Sequence, residues 1–311
     1  MSKYQLSRRQ FIRDAAVTAA VALASRSSGF AFQTRKTAVD QIPLGNTGIK
    51  LSRLGIGSGT VSGTVQRSLG REKFNDLIHY AYDRGITYID TGESYQTHTW
   101  VRDAIKGLPR EKLYIQSKMI HMGGFGGRGG FGNQAPPLER LDGFRKELNV
   151  DYIDTVLIHC QMDPNWDEYS KSLMDGLEEA KQKRIIRAHG VSCHSLPALK
   201  KAAELKWVDV NLVRINPLGV DIDTSEQAVY AASNESHVSP VVEQLRIMRK
   251  NGHGVIGMKL IAQGKFTNIE DRRKSLTWAM QSNILDAVVV GMKNKEEIDE
   301  AITHINNAFS I

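Results

Sequence analysis

Asp90, Tyr95, Lys118 and His159 are four side chains able to hold or move a proton, gathered at or just beyond the ends of short apolar runs. The runs are Tyr88-Ile89 before Asp90, Leu113-Tyr114-Ile115 before Lys118, and Thr155-Val156-Leu157-Ile158 before His159. Their types complement one another for proton transfer at an oxygen. A phenol with its ordinary pKa of about 10 gives up its proton reluctantly near neutrality, and a neighbouring cation favours the phenolate. Tyr95 is then the candidate acid, Lys118 its cation, Asp90 the anchor for the ammonium, and His159 the group that orients the oxygen or relays the proton. A buried Asp–Lys pair, a core tyrosine or a strand-end histidine is structural as often as functional when met singly. The four together point to a site.

Such placement needs parallel strands whose carboxyl ends converge. From Gln41 onward, short apolar runs alternate with amphipathic stretches, the pattern of repeated βα units. Expected strands are 53–57, 87–90, 113–117, 154–159, 187–192, 209–215, 254–259 and 286–291. Helices are expected near 73–84, 98–106, 138–148, 168–184, 196–205, 240–251, 270–282 and 295–308. Eight units favour a (βα)8 TIM barrel, whose reactive groups lie at the carboxyl ends of the strands. An open doubly wound sheet is the alternative, but no glycine-rich dinucleotide fingerprint follows the first strand. Before the barrel, residues 42–52 read as a β-hairpin around Asn46-Thr47-Gly48, able to plug the amino-terminal mouth.

Residues 121–137 contain seven glycines together with Phe125 and Phe131. A long insertion after the third barrel strand opens onto the reactive face, so the expectation is an apolar lid. Trp166 and the loop 218–238 are further candidates for substrate selection.

The full chain has 311 residues, a net charge of +7 and two cysteines. Ser7-Arg8-Arg9-Gln10-Phe11-Ile12-Arg13 precedes the alanine-rich stretch 15–24, and residues 1–31 resemble a twin-arginine export signal. That resemblance implies the twin-arginine export machinery as a partner and a periplasmic or otherwise exported mature chain. Residues 1–31 hold five Lys or Arg against one Asp, so the mature chain would carry +3. This modest, scattered excess gives no reason to expect nucleic acid or an acidic membrane as partner. No apolar run reaches the length of an integral membrane segment. Cys160 and Cys193 are expected to be packing thiols, and no metal site is expected, because neighbours on a strand point to opposite faces.

Residues 38–311 resemble the aldo/keto reductase superfamily. The resemblance rests on Leu44-Gly45-Asn46-Thr47-Gly48, Leu54-Gly55-Ile56-Gly57, and Gly85 to Thr91 with Tyr95. It continues through Ser117-Lys118, Asp151-Tyr152-Ile153-Asp154, Leu157-Ile158-His159, Gly190-Val191-Ser192 and Asn216-Pro217-Leu218, all in order. It implies that Asp90, Tyr95, Lys118 and His159 form a catalytic tetrad, with Tyr95 as general acid or base. The reaction implied is hydride transfer between NADP(H) and a small aldehyde, ketone or sugar, or the corresponding alcohol.

For the nicotinamide, the family's Ser-Asn pair, glutamine and aromatic stacker correspond here to Ser192 with Cys193, Leu212 and Met258; only the serine is kept. Gly57, Ser58 and Lys259 are expected near the pyrophosphate, and Lys293, Asn294 and Lys295 near a 2′-phosphate. Asp90 belongs to both the catalytic and the cofactor set. The charge at 293–295 favours NADP, with NAD still open. Two other readings remain at this point: a nucleotide-binding regulatory barrel with little turnover, and a lyase or isomerase that uses no nucleotide.

Overall fold

A computed structural model describes residues 35–121, 135–226 and 232–310. The export-signal resemblance at 1–31, residues 122–134 of the expected lid and residues 227–231 of the loop 218–238 lie outside the described residues. The compact unit runs from Lys36 to Ile311.

Among the described residues, ten strands form two sheets. β1 (Gln41–Pro43) and β2 (Lys50–Ser52) pair antiparallel, with Ile42 opposite Leu51. β3 (Leu54–Gly57), β4 (Tyr88–Asp90), β5 (Tyr114–Ile120), β6 (Ile153–Gln161), β7 (Ile186–Cys193), β8 (Val210–Arg214), β9 (Gly254–Met258) and β10 (Ala287–Val290) follow. These eight close into a barrel in the order β10-β3-β4-β5-β6-β7-β8-β9. The (βα)8 barrel and the preceding hairpin are therefore present as expected. The differences lie at the ends of elements: β5 and β6 run further than the apolar runs alone suggested, and the expected helix 168–184 is two pieces, Trp166–Tyr169 and Lys171–Gln182.

Alternation along each strand divides the apolar residues between two cores. Tyr88, Leu157, Ala188, Val210, Leu212, Ile256, Ala287 and Val289 fill the barrel. Ile56, Ile89, Ile115, Val156, Val191 and Val255 face the other way, against the helices. The helices meet them with period 3.6: in Arg71–Asp83 the buried residues are Phe74, Leu77, Ile78 and Ala81. Inside the barrel, Tyr88 and Tyr114 meet edge to face with centroids 5.0 Å apart. Gly55 permits this, since a Cβ there would stand 2.1 Å from the Tyr88 ring.

Ile42, Leu44, Ile49 and Leu51 join the same interior cluster, so the hairpin closes the amino-terminal mouth. Asn46 donates its backbone N–H to the Gly252 carbonyl, 2.8 Å away, just before β9 begins. The turn of the hairpin needs backbone in the left-handed region at Gly45, φ 47°, where a Cβ would also strike the backbone of Gly254. With one mouth closed, access to the interior is left to the carboxyl ends of the strands.

Candidate active site

Continuing each inward row toward the open mouth brings Gly57, Asp90, Lys118, His159, Ser192, Arg214 and Met258 to one level. Each stands an even number of residues beyond an inward neighbour: Gly55, Tyr88, Tyr114, Leu157, Ala188, Leu212 or Ile256. The four candidate catalytic side chains are thus brought together by strand parity, with Tyr95 supplied by the short turn Glu93–Tyr95. All four are buried.

Lys118 Nζ donates to Asp90 Oδ1 and, over 2.9 Å, to the Thr91 carbonyl. Gln116 Nε2 donates to Asp90 Oδ1 over 2.8 Å, so the carboxylate is held from two sides. The ammonium lies 4.8 Å from the centroid of the Tyr95 ring. The Tyr95 hydroxyl is 3.4 Å from His159 Nε2, and Ser94 Oγ is 3.4 Å from His159 Nδ1.

The protonation states follow from burial more than from pairing. Burial drives the Tyr95 phenol well above its usual range, and the negative charge of Asp90 pushes in the same direction. Lys118, held against Asp90, stands beside the ring. Burial, with the charges of Lys118 and Lys259, likewise depresses His159 far below the ordinary imidazole value. Near neutrality the site presents a neutral phenol beside a neutral imidazole, suited to giving a proton and a hydrogen bond to a developing alkoxide.

Two further contacts position the phenol. A Cβ at Gly59 would stand 2.4 Å from the Tyr95 ring, so the loop after β3 forms one wall of its slot. Buried Arg140 bridges Glu93 Oε2 (2.6 Å) and the Ile120 carbonyl (2.7 Å), tying the turn 93–95 to the end of β5. Neither residue stood out in the sequence, because neither belongs to a strand end. Arg214 could have been found by counting two residues beyond Leu212 in the expected strand 209–215. Its Nε donates to Asp223 Oδ1 over 2.6 Å, and burial pushes the Asp223 carboxyl up to about 6.

A groove of about 560 Å³ begins at Asp90 and Tyr95 and passes Gly57, Met258, Lys259 and Gly291 to Lys293 and Glu300. This volume is that of a typical cofactor cleft. Along it the expected nucleotide residues meet different fates. Gly57 and Met258 line the groove. Ser192 is buried with a hydroxyl that lacks a hydrogen-bond partner, as a hydroxyl reserved for a ligand would be. Ser58 Oγ is already engaged by the Asp90 carbonyl at 2.9 Å. Cys193 packs outward among the helix-facing residues, and Leu212 is in the barrel core.

At the far end, Asn294 caps the helix Lys295–Ala308, its Oδ1 accepting from the Glu297 N–H. Lys295 lies over the Tyr80 ring, and Lys293 pairs with Glu297 at 3.4 Å. Arg272, which no sequence motif marked, lines the groove but is bound by both oxygens of Glu300 at 2.6 and 2.9 Å.

The sequence profile of the aldo/keto reductase family matches residues 53–277. The chain belongs to the aldo/keto reductase family. Among curated relatives, it is 29% identical over 184 residues to a probable aldo-keto reductase 1 of Glycine max, covering 54% of this chain and 51% of that one. It is 30% identical over 167 residues to an NADH-specific methylglyoxal reductase of Escherichia coli, covering 49% and 51%. The chain thus spans about half the length of the curated relatives it matches. Among solved structures, a putative aldo-keto reductase from Pseudomonas aeruginosa superposes with a TM-score of 0.69 at 22% identity, over 88% of this chain and 98% of that one. An aldo-keto reductase from Klebsiella pneumoniae in complex with NADPH superposes with 0.60 at 18% identity, over 88% and 90%. These structures agree on the barrel.

Proposed function

We propose that this aldo/keto reductase is an NADP(H)-dependent oxidoreductase that reduces a small aldehyde, ketone or sugar to its alcohol. The observation that carries this reading is the convergence of Asp90, Tyr95, Lys118 and His159, the first two of which line a groove of about 560 Å³. The residues present fit a nicotinamide nucleotide: Gly57 and Met258 line the groove, and Ser192 near the end of β7 carries a buried hydroxyl without a hydrogen-bond partner. Two relatives support a nicotinamide cofactor by what they are described as binding or using, NADPH in one and NADH in the other.

When bound, the reduced nicotinamide supplies the hydride. The chain's own residues orient the carbonyl and manage the proton. His159, held neutral, fixes the carbonyl oxygen by a hydrogen bond, and Tyr95 donates its proton to that oxygen as charge develops. Lys118, 4.8 Å from the centroid of the Tyr95 ring, is the cation that supports the phenolate left behind, and Asp90 holds it there.

Replacing Tyr95 with Phe removes the proton donor while keeping the ring. Turnover of NADPH with an aldehyde is expected to fall at least about 10²-fold, the lower bound for a positioned acid, while NADPH still binds in a fluorescence titration. Full activity in that variant would sink the mechanism, and binding of neither NADPH nor NADH would favour a lyase or isomerase instead. We also place the mature enzyme outside the cytoplasm, carried there folded with its nucleotide, on the resemblance of residues 1–31 to a twin-arginine signal.

A further inference from the structure

Among the described strand pairs of the barrel, only β6 and β7 shift register, and they do so at the tetrad histidine. Ile158 pairs with Val191 and Gln161 with Cys193, so His159 and Cys160 together stand opposite the single residue Ser192. That is a β-bulge, which bends its strand and re-aims the side chain beside it. On the other edge of β6, pairing with β5 stays regular as far as Ile120 opposite His159.

The backbone at the bulge is unusual as well. Cys160 has φ 59° and, among the described residues, is the one residue inside a strand that lies in the left-handed region. A residue with a Cβ takes that conformation at a cost, so its surroundings must hold it there. One such contact comes from the next residue. Gln161 Nε2 donates to the His159 carbonyl over 2.8 Å, while the Gln161 carbonyl accepts the His194 N–H at 2.7 Å. Gln161 is buried and its Oε1 has no hydrogen-bond partner, so the amide is anchored through its nitrogen. From this bulge the His159 ring stands at 88° to the Tyr95 ring with centroids 5.5 Å apart, and Nε2 lies 3.4 Å from the phenol oxygen.

We propose that Cys160 and Gln161 are positioning residues: the left-handed bulge at Cys160, closed by the Gln161 amide, aims the His159 imidazole at the Tyr95 hydroxyl. A regular strand would instead set His159 opposite Ser192 and Cys160 opposite Cys193, and the ring would leave β6 along a different line. What matters at position 160 is the backbone conformation rather than the sulfur. The consequence for turnover rests on the reductase reading above, in which His159 fixes the carbonyl oxygen; the aim of the ring does not.

Three variants separate these elements. Cys160→Gly keeps the left-handed backbone without its cost, Cys160→Val resists it because valine is β-branched, and Gln161→Met keeps the length of the side chain while removing the donor. In Cys160→Val and Gln161→Met, kcat with NADPH and an aldehyde is expected to fall at least about tenfold, because a misplacement of about 1 Å can cost about 10²-fold. NADPH binding stays near wild type, and the NMR signals of the His159 imidazole nitrogens, identified by their loss in His159→Gln, shift. Cys160→Gly keeps the wild-type kcat and signals. Should Cys160→Val fail to fold by circular dichroism, Gln161→Met decides alone. Wild-type kcat and signals in folded Cys160→Val or in Gln161→Met would overturn the proposal. So would a loss in Cys160→Gly as deep as in Cys160→Val, which would assign the effect to the side chain instead of the backbone. Failure of the parent reading looks different: no nucleotide-dependent turnover by the wild type, with the His159 signals still moving in the same two variants.

Discussion

At the scale of single residues, the site works by what surrounds the phenol more than by the phenol itself. Burial keeps Tyr95 protonated and His159 neutral, so the geometry must deliver the carbonyl oxygen to both. That makes the walls of the slot as consequential as the tetrad. Gly59→Ala would place a methyl 2.4 Å from one ring carbon of Tyr95 and 2.5 Å from another, closer than real contacts allow. The ring or the loop has to move. Because displacement of a reacting group by about 1 Å can cost about 10²-fold in rate, kcat is expected to drop by that order while circular dichroism and NADPH binding stay near wild type. A kcat within twofold of wild type would show that Gly59 does not define the slot. The four tetrad residues were legible in the sequence because strand ends carry a visible apolar signature. Gly59 and Arg140 were not, since contacts from loop to ring and from helix to turn leave no periodic mark.

Among the elements, the turn Glu93–Tyr95 is the one that must not drift, and it is held from the side by the helix Pro137–Leu148. Arg140 on that helix is buried, and it couples Glu93 to the Ile120 carbonyl. Glu93 Oε2 also accepts the Ile120 N–H at 3.0 Å, which closes a small network between turn and strand. Arg140→Met leaves a partly buried carboxylate without its cation, at a cost on the order of 3 kcal/mol. Denaturant unfolding is expected to show that loss together with a reduced kcat. The double variant Arg140→Met, Glu93→Gln recovers part of the stability, because no charge is then stranded. Unchanged midpoints in the single variant would mean that the bridge contributes nothing. The elements themselves were largely foreseen. Their carboxyl ends were not: β5 reaches Ile120 and β6 reaches Gln161, because backbone pairing with neighbours carries both strands past their apolar runs.

For the whole molecule, the relevant property is a barrel that depends on no covalent staple. Cys160 and Cys193 are free and buried, and burial holds the Cys160 thiol up at about 12, where it is inert. The hairpin seals one mouth and two nested apolar cores supply the cohesion. Such a chain can fold and take up its nucleotide before crossing a membrane, which export of folded proteins requires. The Arg8→Lys, Arg9→Lys precursor is accordingly expected to remain in the cytoplasmic fraction as active, folded enzyme, whereas the unaltered precursor appears outside it. Equal export of both would remove the basis for placing the enzyme beyond the cytoplasm.

The sequence by itself determined the barrel, the hairpin and the placing of Asp90, Lys118 and His159 along barrel strands, because periodicity, turn chemistry and the types of residue at strand ends are local properties of the chain. It marked Lys118, Lys259, Asn294 and Lys295 as site residues without the contacts each one makes. Only the tertiary structure decided which charges are already spent: Asp90 on Lys118, Asp223 on Arg214, Glu300 on Arg272, and Asn294 on capping a helix. Charge balance depends on distances of a few ångströms between segments far apart in the chain, where Coulomb energies change steeply. Which charges meet is therefore a property of the fold.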